Sequence, residues 1–305
     1  MTRSNSLAIC CGLALILSSL PAAQETHLLA FQFEKGSYNL NQQVIETQTT
    51  RTILNKDMTP SKKAPDVSSV TTKCIVHWQV PEVTDKQEAM VIMCFRDGVV
   101  VTKKGHLTTT CEVENPKDAK KLEDPSIKSY ASQVKDGFKF LYNMTTGQVH
   151  STWMLKAIAS KKPQGGRTFD YEEVAIGSDP LYLGTSMKRL PGKAVAVGYE
   201  WDLEQKLPLV TNRYHYKFVK VEKRQGWKVA KIEVTGEISK ASKKIGDIKG
   251  LYYYSFELGV LLLQNIVETT EETHLPLSTQ KGIGGTLVRT VRTLQYELVK
   301  TNHKK

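Results

Sequence analysis

Long apolar runs are scarce in this chain of 305 residues. Beyond Leu7 to Leu20 no stretch approaches the roughly 20 residues that a bilayer-spanning helix needs, so a bundle of membrane helices is excluded. Cysteine is also rare. There are five, and Cys10 and Cys11 lie inside that first apolar run. None stands in a Cys-x-x-Cys pair, which removes the usual zinc and thiol-redox sites. The seven histidines (His27, His77, His106, His150, His215, His274 and His303) contain no His-x-His and no helical His-Glu-x-x-His spacing, so no two of them are set to meet one metal. A Gly-x-Ser-x-Gly elbow and a phosphate-cradling Gly-Lys-Ser/Thr loop are absent too. Lys281-Gly282-Ile283-Gly284-Gly285 is rich in glycine, but it joins two strand-like runs instead of opening a helix. No metal, cofactor or catalytic set is expected, and the chain is not read as an enzyme.

What is present begins with an export signal. Met1-Thr2-Arg3 supplies a short positive region, Leu7 to Leu20 an apolar core, and Pro21-Ala22-Ala23 a small-residue exit. This is the anatomy of a secretory leader over residues 1–23, and it predicts an exported protein, periplasmic or extracellular and not transmembrane. The whole chain carries 42 basic and 31 acidic side chains. Removing Arg3 with the leader leaves 41 against 31, a net charge near +10. Such an excess favours anionic surroundings, here an anionic envelope component. Lys and Arg scattered along strand faces also explain it as ordinary solvated surface.

The remainder reads as antiparallel β-structure. In Arg213-Tyr214-His215-Tyr216-Lys217-Phe218 aromatics alternate with polar residues, as a half-buried strand requires. A turn at Gln225-Gly226 returns the chain through Trp227 to Val234, which makes a hairpin. Leu251 to Phe256, a Glu257-Leu258-Gly259 turn and Val260 to Leu275 make another. Earlier, Leu29, Phe31 and Phe33 lead through Lys35-Gly36 into Tyr38 to Val44, read as a first hairpin. Val70 to Val80 and Met90 to Phe95 are strands joined by a turn at Thr84-Asp85-Lys86. Asp97-Gly98 is a strong hairpin signal. At the C-terminus Val288, Thr290, Leu294, Tyr296 and Leu298 share one parity. In Arg213 to Lys220 the alternation sets aromatics and charges on opposite faces, so base stacking is not expected and nucleic acid is not a partner.

Helix signals are few. Asp124-Pro125 can start a helix near 125–135, and Asp179-Pro180 a second that Pro191-Gly192 stops. The resulting expectation is a mainly β fold, a strongly curved antiparallel sheet (half-barrel or open barrel-like) with one or two short helices. It divides into a β half over residues 24–190 and another over 191–300, the latter belonging to the same sheet or forming a second similar unit. Residues 301–305 form a basic tail.

Two sets of residues stand out. Cys74, Cys94 and Cys111 fall in neighbouring strands, and a Cys74–Cys94 disulfide suits an exported protein; buried thiols suit it equally. Tyr252-Tyr253-Tyr254 with Leu261 and Leu263 is apolar on both strand faces, so it must be covered twice. The second cover could be a helix or loop of the chain, a partner, or a ligand held in the sheet's concavity. Tyr252, Tyr253, Tyr254, Leu261 and Leu263 are therefore the candidate binding residues for a lipid or other apolar small molecule.

Leu190-Pro191-Gly192-Lys193-Ala194-Val195-Ala196-Val197-Gly198-Tyr199-Glu200-Trp201 resembles the Pro-Gly-Lys-x-Val-x-Val-Gly-Asp-x-Trp passage of uncharacterised exported β-rich proteins common in planctomycete bacteria, with Tyr199 in place of the acidic residue. Lys228 to Ile238, Tyr254 to Leu262 and Phe31 to Tyr38 resemble other strands of that family. The resemblance implies export and a β-rich fold, by analogy a lipoprotein-carrier-like half-barrel, and no catalytic residues. Two functions are expected from these readings: a non-catalytic protein binding a lipid or other apolar ligand in a curved sheet, or an envelope interaction protein meeting an anionic polymer or partner through its basic surface.

Overall fold

Alternation of apolar and polar residues becomes strand over most of the chain. The computed structural model describes residues 25–113, 127, 137–157, 171–175, 189–276 and 283–302. Its strands are β1 (Thr26–Leu29), β2 (Tyr38–Asn55), β3 (Asp66–Val83), β4 (Glu88–Lys104), β5 (Leu107–Glu112), β6 (Gly137–Asn143), β7 (Gln148–Ala157) and β8 (Tyr171–Ala175). They continue with β9 (Lys193–Ala196), β10 (Glu200–Lys206), β11 (Thr211–Arg224), β12 (Trp227–Lys240), β13 (Lys243–Ser255), β14 (Val260–His274) and β15 (Ile283–Thr301). The helix expected near 125–135 falls outside the described residues, except that Ile127 is buried in a small cluster with Val100, Cys111 and Val113; of the second, only Arg189 and Leu190 are described, as a turn and bend.

Thirteen strands make one antiparallel sheet, ordered β10-β11-β12-β13-β14-β15-β2-β3-β4-β6-β7-β8, with β5 also on β4. β10 and β8 are its edges and do not pair with each other, so the sheet is not closed into a barrel. Strands from both sides of Pro191 belong to it. The joint is β15 against β2, paired from Ile283↔Asn55 to Thr301↔Asn39.

Local chemistry explains most of the hairpins. Gln225 and Gly226 take φ of 52° and 83°, the left-handed pair of a tight turn whose twist matches the strands. Arg224 is thereby set opposite Trp227. The expected hairpin at Asp97-Gly98 is corrected: β4 runs straight through it, and Asp97, at φ 53°, marks an irregularity within one strand. The turn comes later, at Gly105, where Lys104 faces Leu107. Below the irregularity β4 pairs with β6, from Glu88 to Met93; above it β4 pairs with β5, from Val99 to Lys104. One long strand edge therefore serves two partners, which a hairpin at Asp97 would forbid.

The first hairpin is corrected as well. β1 pairs with β9, Thr26↔Ala196 through Leu29↔Lys193, and not with β2. Ala30 to Phe33 then leave the strand and cross the apolar face of the large sheet. The Tyr254 hydroxyl donates to the Ala30 carbonyl at 2.6 Å, and the Gln32 amide donates to the Gly259 carbonyl at 2.9 Å. Further on, Phe31 and Phe33 meet Tyr142 edge-on, with ring centres 6.3 and 5.5 Å away. Tyr254 belongs to β13 and Tyr142 to β6, six places apart in the strand order.

The core lies on this face. Tyr216, Phe218, Ile232, Val234, Tyr252, Tyr254 and Ile266 belong to the same buried cluster as Val76, Val91, Phe138, Phe140 and Tyr142. Cys74, Cys94 and Cys111 are buried thiols. Cys94 faces His77, three residues along β3 from Cys74, so the two point to opposite sides of the sheet. A disulfide needs Cα atoms within about 7 Å, and the Cys74–Cys94 bond offered by the sequence is not formed.

Candidate functional site

The two-faced hairpin turns out to be covered by the chain itself. Tyr252 and Tyr254 are each 1% exposed and Leu261 is also buried; Ala30 to Phe33 close over Tyr254. A Cβ on Gly259 would collide with the backbone of Gln32, and Gly259 holds φ +65°, so glycine permits that close crossing. On the other face Tyr253 pairs with Leu263, and both are half-buried. The Arg224 guanidinium lies 4.3 Å from the centre of the Tyr253 ring, a cation–π cover.

Beside this hairpin the inner face carries a group that no sequence pattern announced. Rings ascend across β10, β11 and β13. Trp201 stacks on Tyr216 at 5.2 Å and 11°, Tyr214 on Tyr216 at 6.0 Å, and Tyr216 leans on Tyr252 at 5.8 Å. Arg189 is laid over them. Its carbonyl accepts from Trp201 Nε1 at 3.1 Å, its guanidinium donates to Gln264 Oε1 at 2.9 Å, and its Cζ lies 5.9 Å from the Tyr252 ring centre.

The electrostatics of this cluster are unbalanced. Burial opposes the Arg189 charge, yet its pKa stays raised, with Tyr252, Tyr216, Tyr214 and Glu268 on the favourable side. Burial also pushes the Tyr216, Tyr252 and Tyr214 hydroxyls above the usual phenol range. At neutral pH they offer Arg189 dipoles and no formal charge. Glu268 is engaged by Arg292 at 3.2 Å. Among the described residues Arg189 has no carboxylate partner, and Gln264 Nε2, on a side chain 4% exposed overall, has no hydrogen-bond partner. Two N–H donor groups thus converge on the inner face of β14. Next to them β15 presents Leu294, Tyr296 and Leu298, apolar residues packed on the core and only partly buried; Tyr296 stands directly opposite Gln264, and burial raises its hydroxyl above the usual phenol range.

The outer face of β10 to β13 carries an open hollow of about 580 Å³ lined by Asp202, Glu204, Arg213, His215, Glu237 and Asp247, among others. Here charges answer one another. His215 Nδ1 meets Asp202 at 2.8 Å and its Nε2 faces Glu200 at 3.6 Å. Arg213 pairs with Glu204 at 3.0 Å, and Lys244 with Glu237 and Asp247 at 3.0 and 2.8 Å. Thr235 lies opposite His215, but both imidazole nitrogens face carboxylates and none is turned to its hydroxyl. The arrangement is a solvated ion-pair lattice, and such pairs contribute little each. No cluster of His, Cys, Asp and Glu suited to a metal occurs among the described residues.

No described helix is long and apolar enough to cross a membrane. No family model matches the chain, and no curated protein matches it. Among solved structures it is similar over 90% of its length to lipovitellin, described for its lipid–protein interactions, at 7% identity and a TM-score of 0.46. It spans about a quarter (26%) of that chain. It is similar over 90% of its length to a Bacteroides fragilis NCTC 9343 protein with a YmcC-like fold, covering 100% of it at 9% identity and a TM-score of 0.25. An outer membrane channel from Pseudomonas putida F1 matches over 87% of this chain and 97% of its own, at 7% identity and a TM-score of 0.20. Likenesses of this degree carry no functional argument.

Proposed function

We propose that this is an exported, non-catalytic binding protein that holds an anionic amphiphile, a fatty-acid-like molecule, on the inner face of a curved sheet. One observation carries the reading. Arg189 is a charged guanidinium over the apolar face, without a carboxylate partner among the described residues, beside the unsatisfied Gln264 amide and the partly buried Leu294, Tyr296 and Leu298. A head group bearing a carboxylate would accept from Arg189 and Gln264 Nε2, and an alkyl chain along β15 would bury what that strand leaves open. Charge-assisted bonds of this kind are the strong ones. The contact of Ala30 to Phe33 with both β13 and β6 supports the curved sheet that the reading needs.

The test is a titration of delipidated protein with a fluorescent fatty acid and with its uncharged methyl ester. Losing one charge-assisted partner costs about 1.5–3 kcal/mol, roughly 10- to 100-fold. Arg189→Met should weaken the acid by that factor and leave the ester unchanged, with the thermal transition confirming a folded variant. No uptake of the acid by the native protein, or equal uptake by Arg189→Met, refutes the proposal.

A further inference from the structure

Consecutive antiparallel hairpins place every second turn at the same end of a sheet. The β10–β11, β12–β13, β14–β15, β2–β3 and β4–β5 connections all leave from one end of this sheet. The three most exposed large apolar side chains of the described residues sit there, each at a turn: Leu209 at 77%, Leu107 at 76% and Leu275 at 72%. Met58, at the tip of the β2–β3 turn and 45% exposed, joins them, while Val299 at 61% lies at the opposite end. Single exposed apolar residues are ordinary on a protein surface. Their convergence on the turn tips of one end is not, because turns are where polar residues are cheapest to place. At the opposite end the turns at Gly36, Gln225-Gly226 and Thr84 to Gln87 bear none of the large exposed apolar residues.

The same end is basic. Lys56, Lys62, Lys63, Lys103, Lys104 and Lys243 are exposed there, and none has a carboxylate partner among the described residues. The lysines that are paired, Lys206 with Glu204 and Lys240 with Glu272, hold their carboxylates below or beside the tips. Asp57, Asp66 and Glu271 stand against the six, so the excess remains positive.

We propose that this end of the sheet docks on an anionic lipid bilayer, with Leu107, Leu209, Leu275 and Met58 entering the head-group region and the lysines facing lipid phosphates. Apolar tips that insert shallowly, ringed by cations that draw them to a negative surface, form a two-signal device in which neither part suffices. The proposal stands independently of an amphiphile at Arg189. It also distinguishes a bilayer from an anionic polymer, since a polymer would use the lysines alone.

Co-sedimentation of the exported protein with sucrose-loaded vesicles tests it. Phosphatidylcholine vesicles containing about a third phosphatidylglycerol should capture the protein at low salt, and pure phosphatidylcholine vesicles should not. Leu107→Ser/Leu209→Ser/Leu275→Ser should bind the anionic vesicles about tenfold or more weakly while keeping native retention on heparin resin. Changing Lys56, Lys62, Lys63, Lys103 and Lys104 to Gln should weaken both. Val299→Ser, at the other end of β15 and 61% exposed, should change neither. An unaltered thermal transition for the leucine variant is expected from its exposed positions. Native binding to the anionic vesicles by the leucine variant, equal binding of the native protein to both vesicle types, or no binding to either overturns the proposal.

Discussion

The crossing of Ala30 to Phe33 over the inner face makes the sharpest stability prediction. Tyr254→Phe removes one oxygen from a side chain that is 1% exposed and takes the donor from the Ala30 carbonyl, itself on a residue 2% exposed. The ring still fits, so no cavity forms. What is lost is one hydrogen bond, with a buried acceptor left unmet, and that costs about 1–3 kcal/mol. At about 2–4 °C per kcal/mol for chains above 150 residues, the melting temperature should fall by roughly 2–12 °C. The loss should also be local. The Gln32–Gly259 bond and the Phe31 and Phe33 contacts with Tyr142 remain, so amide exchange at Gln32 and Phe33 and chymotryptic cleavage after Phe31 should rise well before global unfolding. Gly259→Ala loosens the same segment by another route. It sets a side chain at φ +65° and into the Gln32 backbone, at about 1–2 kcal/mol for the left-handed conformation alone. Because both changes release one segment, their combined cost should fall short of the sum. Unchanged exchange at Gln32 in Tyr254→Phe, with a loss under about 0.5 kcal/mol, would refute this account.

Further measurements probe other parts of the molecule. Burial pushes the Tyr142 hydroxyl up to about 12, and Tyr254, Tyr252 and Tyr216 are raised in the same way. A phenol whose folded pKa is raised adds stability that is complete below pH about 10 and is lost as pH climbs through the folded value. Alkaline unfolding should therefore set in between about pH 10 and 12, with phenolate absorbance at 295 nm rising in step with loss of near-ultraviolet dichroism; full titration of a still-folded protein contradicts it. Cys74, Cys94 and Cys111 are between 3 and 8% exposed, so a thiol reagent should modify the protein slowly when native and at all three when denatured, and rapid native labelling would show the burial to be misplaced. Arg224→Ala should uncover Tyr253 and enhance quenching of tyrosine fluorescence by iodide, while stability falls by no more than about 1 kcal/mol.

Local patterns carried the fold a long way. Arg213 to Phe218 with Trp227 to Val234, and Leu251 to Phe256 with Val260 onward, were legible because alternation and a glycine-bearing turn sit within thirty residues of each other. The strand parity of Leu294, Tyr296 and Leu298 was also readable, and those residues do face the core. The pairing of β15 with β2 was not readable, since it joins residues more than two hundred positions apart and nothing local selects it. Phe31 and Phe33 alternate like a strand but serve as a plug, because the Gln32 amide between them donates to the Gly259 carbonyl and the Phe33 amide to the Met144 sulfur instead of to a neighbouring ladder. Asp97-Gly98 has the chemistry of a turn, and tertiary pairing of β4 on both sides of it kept the strand continuous. Tyr252, Tyr254 and Leu261 were marked as needing a cover, and that need is real; the cover is the chain's own. Arg189 escaped notice since a lone arginine before Pro191-Gly192 has no periodicity to betray it. Trp201, whose indole needs a partner when half-buried, was the available clue.

The joint between β15 and β2 has a consequence for assembly. During synthesis the strands β2 to β8 exist before any of β10 to β15, and one flank of β2 must wait for β15, more than two hundred residues further along the chain. Until it arrives the growing polypeptide holds two unconnected sheets and an unfilled edge, the kind of surface that invites pairing with another chain. A premature stop near residue 283 would thus not trim a tail. It would leave two half-proteins on one string, each with an adhesive side, and the product should be aggregation or degradation instead of a shortened, working molecule.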